Sequence, residues 1–346
     1  MSEARKVLVT GGAGFIGSHT VVELCAAGYE PIIVDNFCNS DRRILSRIER
    51  IVGRPVTCRE LDCADGAAMT RLFETDGRFF GVIHFAAHKA VGASVGQPLK
   101  YYRNNVGSLV TLLETMRDQA VRNLVFSSSC TVYGQPDTLP VTEATPRKTA
   151  ESPYGRSKQF CEDVIDDTVR SGQVLSAVTL RYFNPVGAHP SSLIGELPIG
   201  APENLVPYIT QTAAGIREQL TVFGDDYDTP DGTCVRDYIH VVDLAKAHVS
   251  ALNWLSRRND TPNNEVLNVG TGRGTSVLQA IAAFEQAAGK KLNYRIGPRR
   301  PGDVVETYAN VDKSQSTLEW KCELTTLDAM RDAYNWQASL ATNPLS

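Results

Sequence analysis

VTGGAGFIGSH, residues 9–19, decides how the rest of the chain is read. It follows a short β-branched run, KVLVT (6–10), and opens a stretch whose apolar positions include Phe15, Ile16, Val21, Val22 and Leu24. Gly11, Gly14 and Gly17 satisfy G-x-x-G-x-x-G, while Gly12, Gly14 and Gly17 satisfy G-x-G-x-x-G. Glycine is needed where a turn takes positive φ and where backbone N–H groups approach a pyrophosphate seated on the positive end of a helix dipole. The stretch therefore predicts strand, tight turn and helix, the opening unit of a nucleotide-binding α/β fold.

The segments around it agree. PIIVD (31–35), FGVIHFAA (80–87), NLVFSSS (123–129) and LSAVTLRYF (175–183) are short, near-continuous apolar runs separated by stretches with helical spacing. That alternation predicts βαβ units and a Rossmann-type, doubly wound parallel sheet buried on both faces. Asp35 ends the second strand, one predicted helix and one strand beyond Gly17. A carboxylate there accepts both adenosine ribose hydroxyls and repels a 2′-phosphate, so NAD is expected over NADP. Asp62, expected to end the third strand, is a candidate for the adenine, an ordinary loop role being the alternative. Ala86 and Ala87 are small enough for a cofactor to lie against backbone. His84 and His88 do not suggest a metal, because four residues of strand span roughly 13 Å.

After residue 183 the texture changes. Segments 185–203 and 224–236 are rich in Pro, Gly and Asp and read as functional loops. The expected organisation is a nucleotide-binding domain, 1–183, and a smaller C-terminal α/β lobe, 184–346. Helices are expected near 204–217, 240–255, 276–288 and 325–338, and a strand near 265–270 is expected to return to the main sheet. Two further helices, 95–120 and 152–171, are long enough to present a face to a second subunit, or simply to cover the sheet.

The 346 residues, 42% hydrophobic and 21% charged, suffice for a large core. A net charge of -4 gives no reason to expect nucleic acid or an anionic membrane as partner. The eight cysteines form no CxxC pair and read as thiols of a reducing compartment. With no apolar run long enough to span a bilayer and no leader-like segment at the start, a cytoplasmic protein is expected.

The chemistry is expected at SPYGRSK (152–158). Twelve tyrosines and ten lysines give about a third of a YxxxK by chance, so the spacing alone means little. Its position means more. Ser127, Ser128 and Ser129 end a predicted strand, and Tyr154 stands at the start of the next long helix, with Lys158 one turn on. A phenol with a pKa near 10 is ionised in only about one molecule in a thousand at pH 7. Bringing it down to about 7 takes roughly 4 kcal/mol. A cation about 5 Å away in an effective dielectric of about 20 supplies roughly 3 kcal/mol. Lys158 together with an oxidised nicotinamide is expected to suffice against desolvation.

With TGGAGFIGSH, HFAAHKAVGAS, YYRNNVGS, FSSSCTVYG, SPYGRSK, RYFNPVGAHP, ENLVPYI, FGDDYDTPDGTCVRDYIHVVDLAKAH, LNVGTGRGTSV and RRPGDVVETYAN in place, the chain resembles the extended short-chain dehydrogenase/reductase family, and within it the UDP-glucose 4-epimerases. The resemblance runs over nearly the whole chain. It implies transient oxidation at the sugar C4: Tyr154 takes the hydroxyl proton, hydride passes to tightly held NAD, and the rotated 4-keto sugar is reduced from its other face. It implies that Ser129 bonds the C4 oxygen, that Lys158 binds the nicotinamide ribose and tunes Tyr154, and that Thr131 is a lesser contact. By the same resemblance Gly11, Gly14, Phe15, Ile16, Gly17, Asp35, Asn36, Asp62, Cys63, Phe85, Ala86, Lys89, Asn104 and Phe183, with Tyr154 and Lys158, hold NAD. Lys89, Asn184, Asn204 and Leu205 meet the sugar and diphosphate, Phe223 packs on uracil, Arg236 and Arg300 pair the diphosphate, and Asp303 takes the uridine ribose. A homodimer is implied as well.

Four alternatives stand beside interconversion of UDP-glucose and UDP-galactose. A 4,6-dehydratase needs an acid and base where this chain has Cys130 and Thr131, and is disfavoured. Thr307 stands where the resemblance places a bulky tyrosine in enzymes that reject an acetamido group, which opens UDP-GlcNAc/UDP-GalNAc as additional or main substrates. A non-catalytic NAD-binding sensor predicts erosion of Ser129, Tyr154 or Lys158, and all three are intact; a reductase releasing free NADH would need added cofactor.

Overall fold

The structure is a computed structural model that describes residues 5–173, 175–258, 262–300 and 303–342. Pro301 and Gly302 of the RRPGD motif lie outside the described residues. In chain order the first part runs β1 (Lys6–Thr10), α1 (Phe15–Ala26), β2 (Glu30–Asp35), α2 (Ile44–Val52), β3 (Thr57–Glu60), α3 (Gly66–Asp76), β4 (Gly81–His84), α4 (Val91–Gly96), α5 (Pro98–Tyr101), a π-helical turn (Tyr102–Val106), α6 (Gly107–Asp118), β5 (Asn123–Ser127), a 3-10 turn (Cys130–Tyr133), α7 (Pro153–Arg170) and β6 (Ser176–Tyr182). Then follow β7 (Asn184–Val186), α8 (Leu205–Ala213), β8 (Leu220–Phe223), β9 (Val235–Arg236), β10 (Tyr238–His240), α9 (Val241–Ser256), β11 (Asn263–Val269), β12 (Thr275–Ser276), α10 (Val277–Ala288), β13 (Tyr294–Gly297), β14 (Glu306–Thr307), α11 (Asp312–Leu318) and α12 (Thr326–Thr342).

Seven strands form one parallel sheet in the order β11-β6-β5-β4-β1-β2-β3, the Rossmann-type doubly wound fold. The chain reverses its winding between β1 and β4, which opens a crevice at their C-terminal ends. Alternation along β1 serves both faces: Val7 and Val9 join the core under α1, α2 and α9, and Leu8 joins the one under α3, α6 and α7. Strand β11 lies beside β6 in register from Asn263↔Ser176 to Val269↔Tyr182, although β7 to β10 and two helices come between them in the chain.

The remaining strands make small sheets, β10-β7, β12-β9-β14 and β13-β8. They pack with α8, α10 and α12 around a separate core that includes Ile209, Val222, Phe284 and Met330. The long helix expected over 95–120 is instead broken into α4, α5, the π turn and α6. Gly96, Gln97 and Pro98 interrupt it, because proline cannot donate into the preceding turn and disfavours helical backbone at the residue before it. The π turn that follows contains Asn104 and Asn105, at the kind of irregularity that often marks a functional site.

Candidate active site

The glycine turn closes against the end of β4. Gly11 has φ +69°, and a Cβ there would lie 2.8 Å from the Ala86 amide nitrogen. A Cβ on Gly17 would lie 2.2 Å from the Gly11 carbonyl oxygen. Neither position admits a side chain. Gly14 caps α1, so the first-turn amides of Phe15 and Ile16 have no intrahelical acceptor and make a ready anion cradle. Buried Asp35 holds the turn from below: Oδ2 accepts from the Ala13 amide at 3.0 Å, and Oδ1 from the Phe37 amide and Ser40 hydroxyl at 2.9 and 2.8 Å. Asn36 donates to Asp62 at 3.2 Å, and Asp62 lies just beyond the end of β3, next to buried Cys63. A bare backbone cradle with one carboxylate at the end of β2 is what a dinucleotide with free ribose hydroxyls requires, so the residues present fit NAD.

The chemical groups converge from β5 and α7. Ser129 leaves β5 in extended backbone and caps the 3-10 turn; its Oγ accepts from the Thr131 amide at 3.3 Å and from the Thr131 hydroxyl at 3.0 Å. Ser152 caps α7 by accepting from the Gly155 amide, and Pro153 starts the helix with the φ it needs. A Cβ on Gly155 would come within 3.2 Å of the Thr131 carbonyl oxygen, so glycine brings α7 up to the serine turn. Tyr154 and Lys158 are buried on that face.

The sequence expectation for these two groups includes the charge of an oxidised nicotinamide, and the chain's own groups act on them as follows. Burial pushes the Tyr154 phenol well above its ordinary value, with Tyr182 adding to the rise and a hydrogen bond with Ser129 opposing it. Burial lowers Lys158 to about 8. Its Nζ donates to the Ser127 carbonyl oxygen at 2.6 Å and lies 4.9 Å from the centre of the Phe126 ring. The chain alone thus makes Tyr154 a weaker acid, because its burial outweighs the hydrogen bond from Ser129.

On the other side of the crevice the predicted substrate residues fall into two groups. Lys89, from the loop after β4, and Asn204, which caps α8 next to Leu205, meet at Glu196, whose Oε1 accepts from them at 3.0 and 2.7 Å. Asn184 opens β7 with its buried Oδ1 unpartnered among the described residues, directly after buried Phe183. The second group gathers on Asp303: Arg300 contacts it at 2.6 Å and Arg236 at 3.9 Å. Phe223 is exposed beneath Arg300, ring centre 5.6 Å from the guanidinium carbon, and Thr307 pairs with Arg236 across β9 and β14. Arg236 also acts on the Cys130 thiol, which ties this cluster to the serine turn. Phe85 extends β4 by donating its amide to Thr10, and Asn104 reaches Asn105 at 3.0 Å.

The model of the NAD dependent epimerase/dehydratase family matches residues 7–270. The chain belongs to that family. It is 52% identical over 341 residues to a UDP-glucose 4-epimerase of Bos taurus, covering 96% of this chain and 97% of the relative. The UDP-glucose 4-epimerase of Bifidobacterium longum, solved with NAD+ and UDP, superposes with a TM-score of 0.92 at 49% identity, covering 98% of this chain and 99% of that one. The enzyme of Stenotrophomonas maltophila, solved with NAD and formylated UDP-arabinopyranose, gives 0.94 at 47% with the same coverage.

Within this epimerase/dehydratase site several residues carry no mark in the sequence. Glu196 sits in a segment that reads as a functional loop, yet nothing in IGELP announces a carboxylate that gathers Lys89 and Asn204. Asn105 accepts from the His88 amide at 2.9 Å and donates to the Ser157 hydroxyl at 3.0 Å, joining the β4 loop to α7, whereas the sequence points to its neighbour Asn104. Tyr182 meets Ser127 at 2.6 Å beneath Tyr154. All eight cysteines are free thiols. Among the described residues no helix is long and apolar enough to cross a membrane.

Proposed function

We propose that this chain is an NAD-dependent UDP-glucose 4-epimerase that interconverts UDP-glucose and UDP-galactose through a 4-keto sugar. The observation that carries the reading is the hydrogen bond between Ser129 and Tyr154, with Lys158 one helical turn on and anchored at the end of β5, in a chain half identical to such epimerases. Bound NAD supplies a hydride acceptor that is regenerated within each turnover. Tyr154 accepts the proton of the sugar 4-hydroxyl and returns it after the sugar has turned, so the net change is inversion alone. Ser129, already polarised by Thr131, donates to the C4 oxygen. Lys158, one helical turn from Tyr154, supplies positive charge to a site where burial otherwise keeps the phenol protonated. Gly11, Gly14 and Gly17 with Asp35 hold the dinucleotide, while Arg236 and Arg300 exchange Asp303 for the diphosphate and leave Asp303 to the uridine ribose. Phe223, exposed beside them, is placed to stack on uracil. Residues 184–346 act as the substrate lobe.

The test is incubation of the purified protein with UDP-galactose and, separately, UDP-GalNAc without added NAD, the C4 epimers being read by chromatography. No product from either refutes the epimerase. A second reading, tolerance of the N-acetylated pair, is favoured by Thr307, a small residue buried on β14. Turnover of UDP-GlcNAc is expected to fall at least tenfold in Thr307→Tyr while UDP-glucose is spared, and equal turnover would sink it.

A cytoplasmic homodimer completes the reading. Val95, Leu99, Val110 and Phe160 are exposed on the adjoining elements α4, α5, α6 and α7, an apolar set that a second copy would cover. Sedimentation should find a dimer in the native protein and a monomer in Val110→Glu/Phe160→Glu.

A further inference from the structure

The same face of α7 that carries Tyr154 and Lys158 carries Glu162 one turn further on. A lysine and a glutamate four apart on a helix ordinarily pair, and here both are buried. They do not pair. Glu162 is filled by other donors: Oε1 accepts from Arg181 Nε at 2.9 Å and the Ser128 hydroxyl at 2.5 Å, Oε2 from Arg181 Nη2 at 2.6 Å and Arg147 Nη1 at 3.3 Å. A carboxylate offers about four acceptor directions, and all are taken. Arg181 is itself fixed from behind, because its Nη1 donates to the Tyr133 hydroxyl at 3.0 Å, and that hydroxyl donates to Asn268 Oδ1 at 2.7 Å.

Lys158 is consequently left to the Ser127 carbonyl at the end of β5. Glu162 still acts on it electrostatically, so the attraction that would draw the two together is present and unused. In a low-dielectric interior a carboxylate that lost a guanidinium fork would take the next available cation.

We propose that Arg181 is a positioning residue for epimerisation: by occupying both oxygens of Glu162 it keeps that carboxylate from capturing Lys158 and so holds the ammonium on the Ser127 carbonyl, one helical turn from Tyr154. The proposal rests on the epimerase reading for its kinetic consequence, and on this chain's side chains alone for its structural one. Ser128, pinned by the same carboxylate, keeps Ser129 in line.

The test compares Arg181→Met with Glu162→Gln/Arg181→Met in the holoenzyme. The single variant should lose about a hundredfold in kcat for UDP-galactose, with KM within threefold, since a misplaced group near the chemistry costs rate more than binding. The double variant, which has no carboxylate to capture Lys158, should recover at least tenfold. A purely structural role predicts instead that the double variant is no better than the single one, and that result overturns the proposal. Crystal structures give a reading independent of activity: Lys158 Nζ should lie on Glu162 in the single variant and back on the Ser127 carbonyl in the double. An unmoved Lys158 in Arg181→Met overturns the proposal even if the wild-type protein proves not to be an epimerase. Should the single variant fail to fold, Arg181→Lys, whose ammonium reaches one oxygen only, is expected to lose about tenfold in kcat; wild-type kcat there counts against the proposal just as firmly.

Discussion

Two ends of one crevice hold their cations in opposite ways. At the cofactor end Lys158 is buried with a carbonyl for a partner and, among the described residues, no carboxylate within salt-bridge distance. At the sugar-nucleotide end Arg236 and Arg300 share Asp303, and Arg300 stays half exposed. The first arrangement keeps positive charge in a buried site, on the helix whose Tyr154 is the proposed proton acceptor. The second keeps charge neutralised by a carboxylate that, in the proposed function, a diphosphate replaces. In the proposed function the difference separates groups that serve chemistry from groups that exchange one anion for another, and it can be broken at either end.

The largest effect is expected from Tyr154→Phe. Removing one hydroxyl from a buried ring leaves the cradle and the arginine cluster untouched, so NAD and UDP should bind as before while epimerisation falls by about a thousandfold or more. A variant retaining a tenth of wild-type activity would place the proton acceptor elsewhere. Gly17→Ala follows. The added methyl would lie 2.2 Å from the Gly11 oxygen and 2.8 Å from the Gly12 Cα, backbone atoms that cannot swing aside. The purified protein should carry less than about a tenth of the wild-type NAD, read by absorbance after release, because the turn must open.

How far the sequence reaches follows the same division. The cofactor end is legible because its constraints are local: a glycine at positive φ, a carboxylate at a strand end and a tyrosine in the first turn of a helix all leave marks at fixed spacing. The end of β5 and the start of α7 can be placed from SSSCTVYG and SPYGRSK for that reason. Glu162 and Arg181 cannot, because their pairing joins a helix to the following strand and reads in sequence as one acid and one base among many. The break of the 95–120 segment has a local signal, Gly-Gln-Pro, that its apolar periodicity outweighs. At the sugar-nucleotide end, ordinary loop residues acquire meaning only when β9, β14 and the segment after β13 come together.

Lys158→Met sharpens the cofactor end through stability. The folded state holds this lysine at about 8 against an ordinary 10.5. Between those values the unfolded chain binds more protons, so stability rises with pH across that window and the cost is present in full below about pH 8. By the usual conversion it is on the order of 3 kcal/mol at neutral pH. Chemical denaturation should therefore find Lys158→Met more stable than wild type at pH 7, with the advantage shrinking toward pH 10.5, although the variant is inactive. Equal stability at both pH values would mean that the ammonium is not held under strain.

Asp303→Asn tests the other end and should give the smallest effect, about tenfold in either direction depending on the ligand. The carboxylate has two proposed duties that pull oppositely. It neutralises Arg236 and Arg300, which opposes anion binding, and it accepts from the uridine ribose, which favours UDP. Inorganic pyrophosphate has no ribose, so the amide should bind it several-fold more tightly, with the gain eroded as salt is raised from about 0.05 to about 0.5 M. UDP should bind about tenfold more weakly, since a side-chain amide replaces a charged acceptor of two hydroxyls. Calorimetry with both ligands separates the two duties: weakening of both would show that Asp303 orders the arginines more than it restrains them, and the contrast between the two ends of the crevice would lose its electrostatic basis.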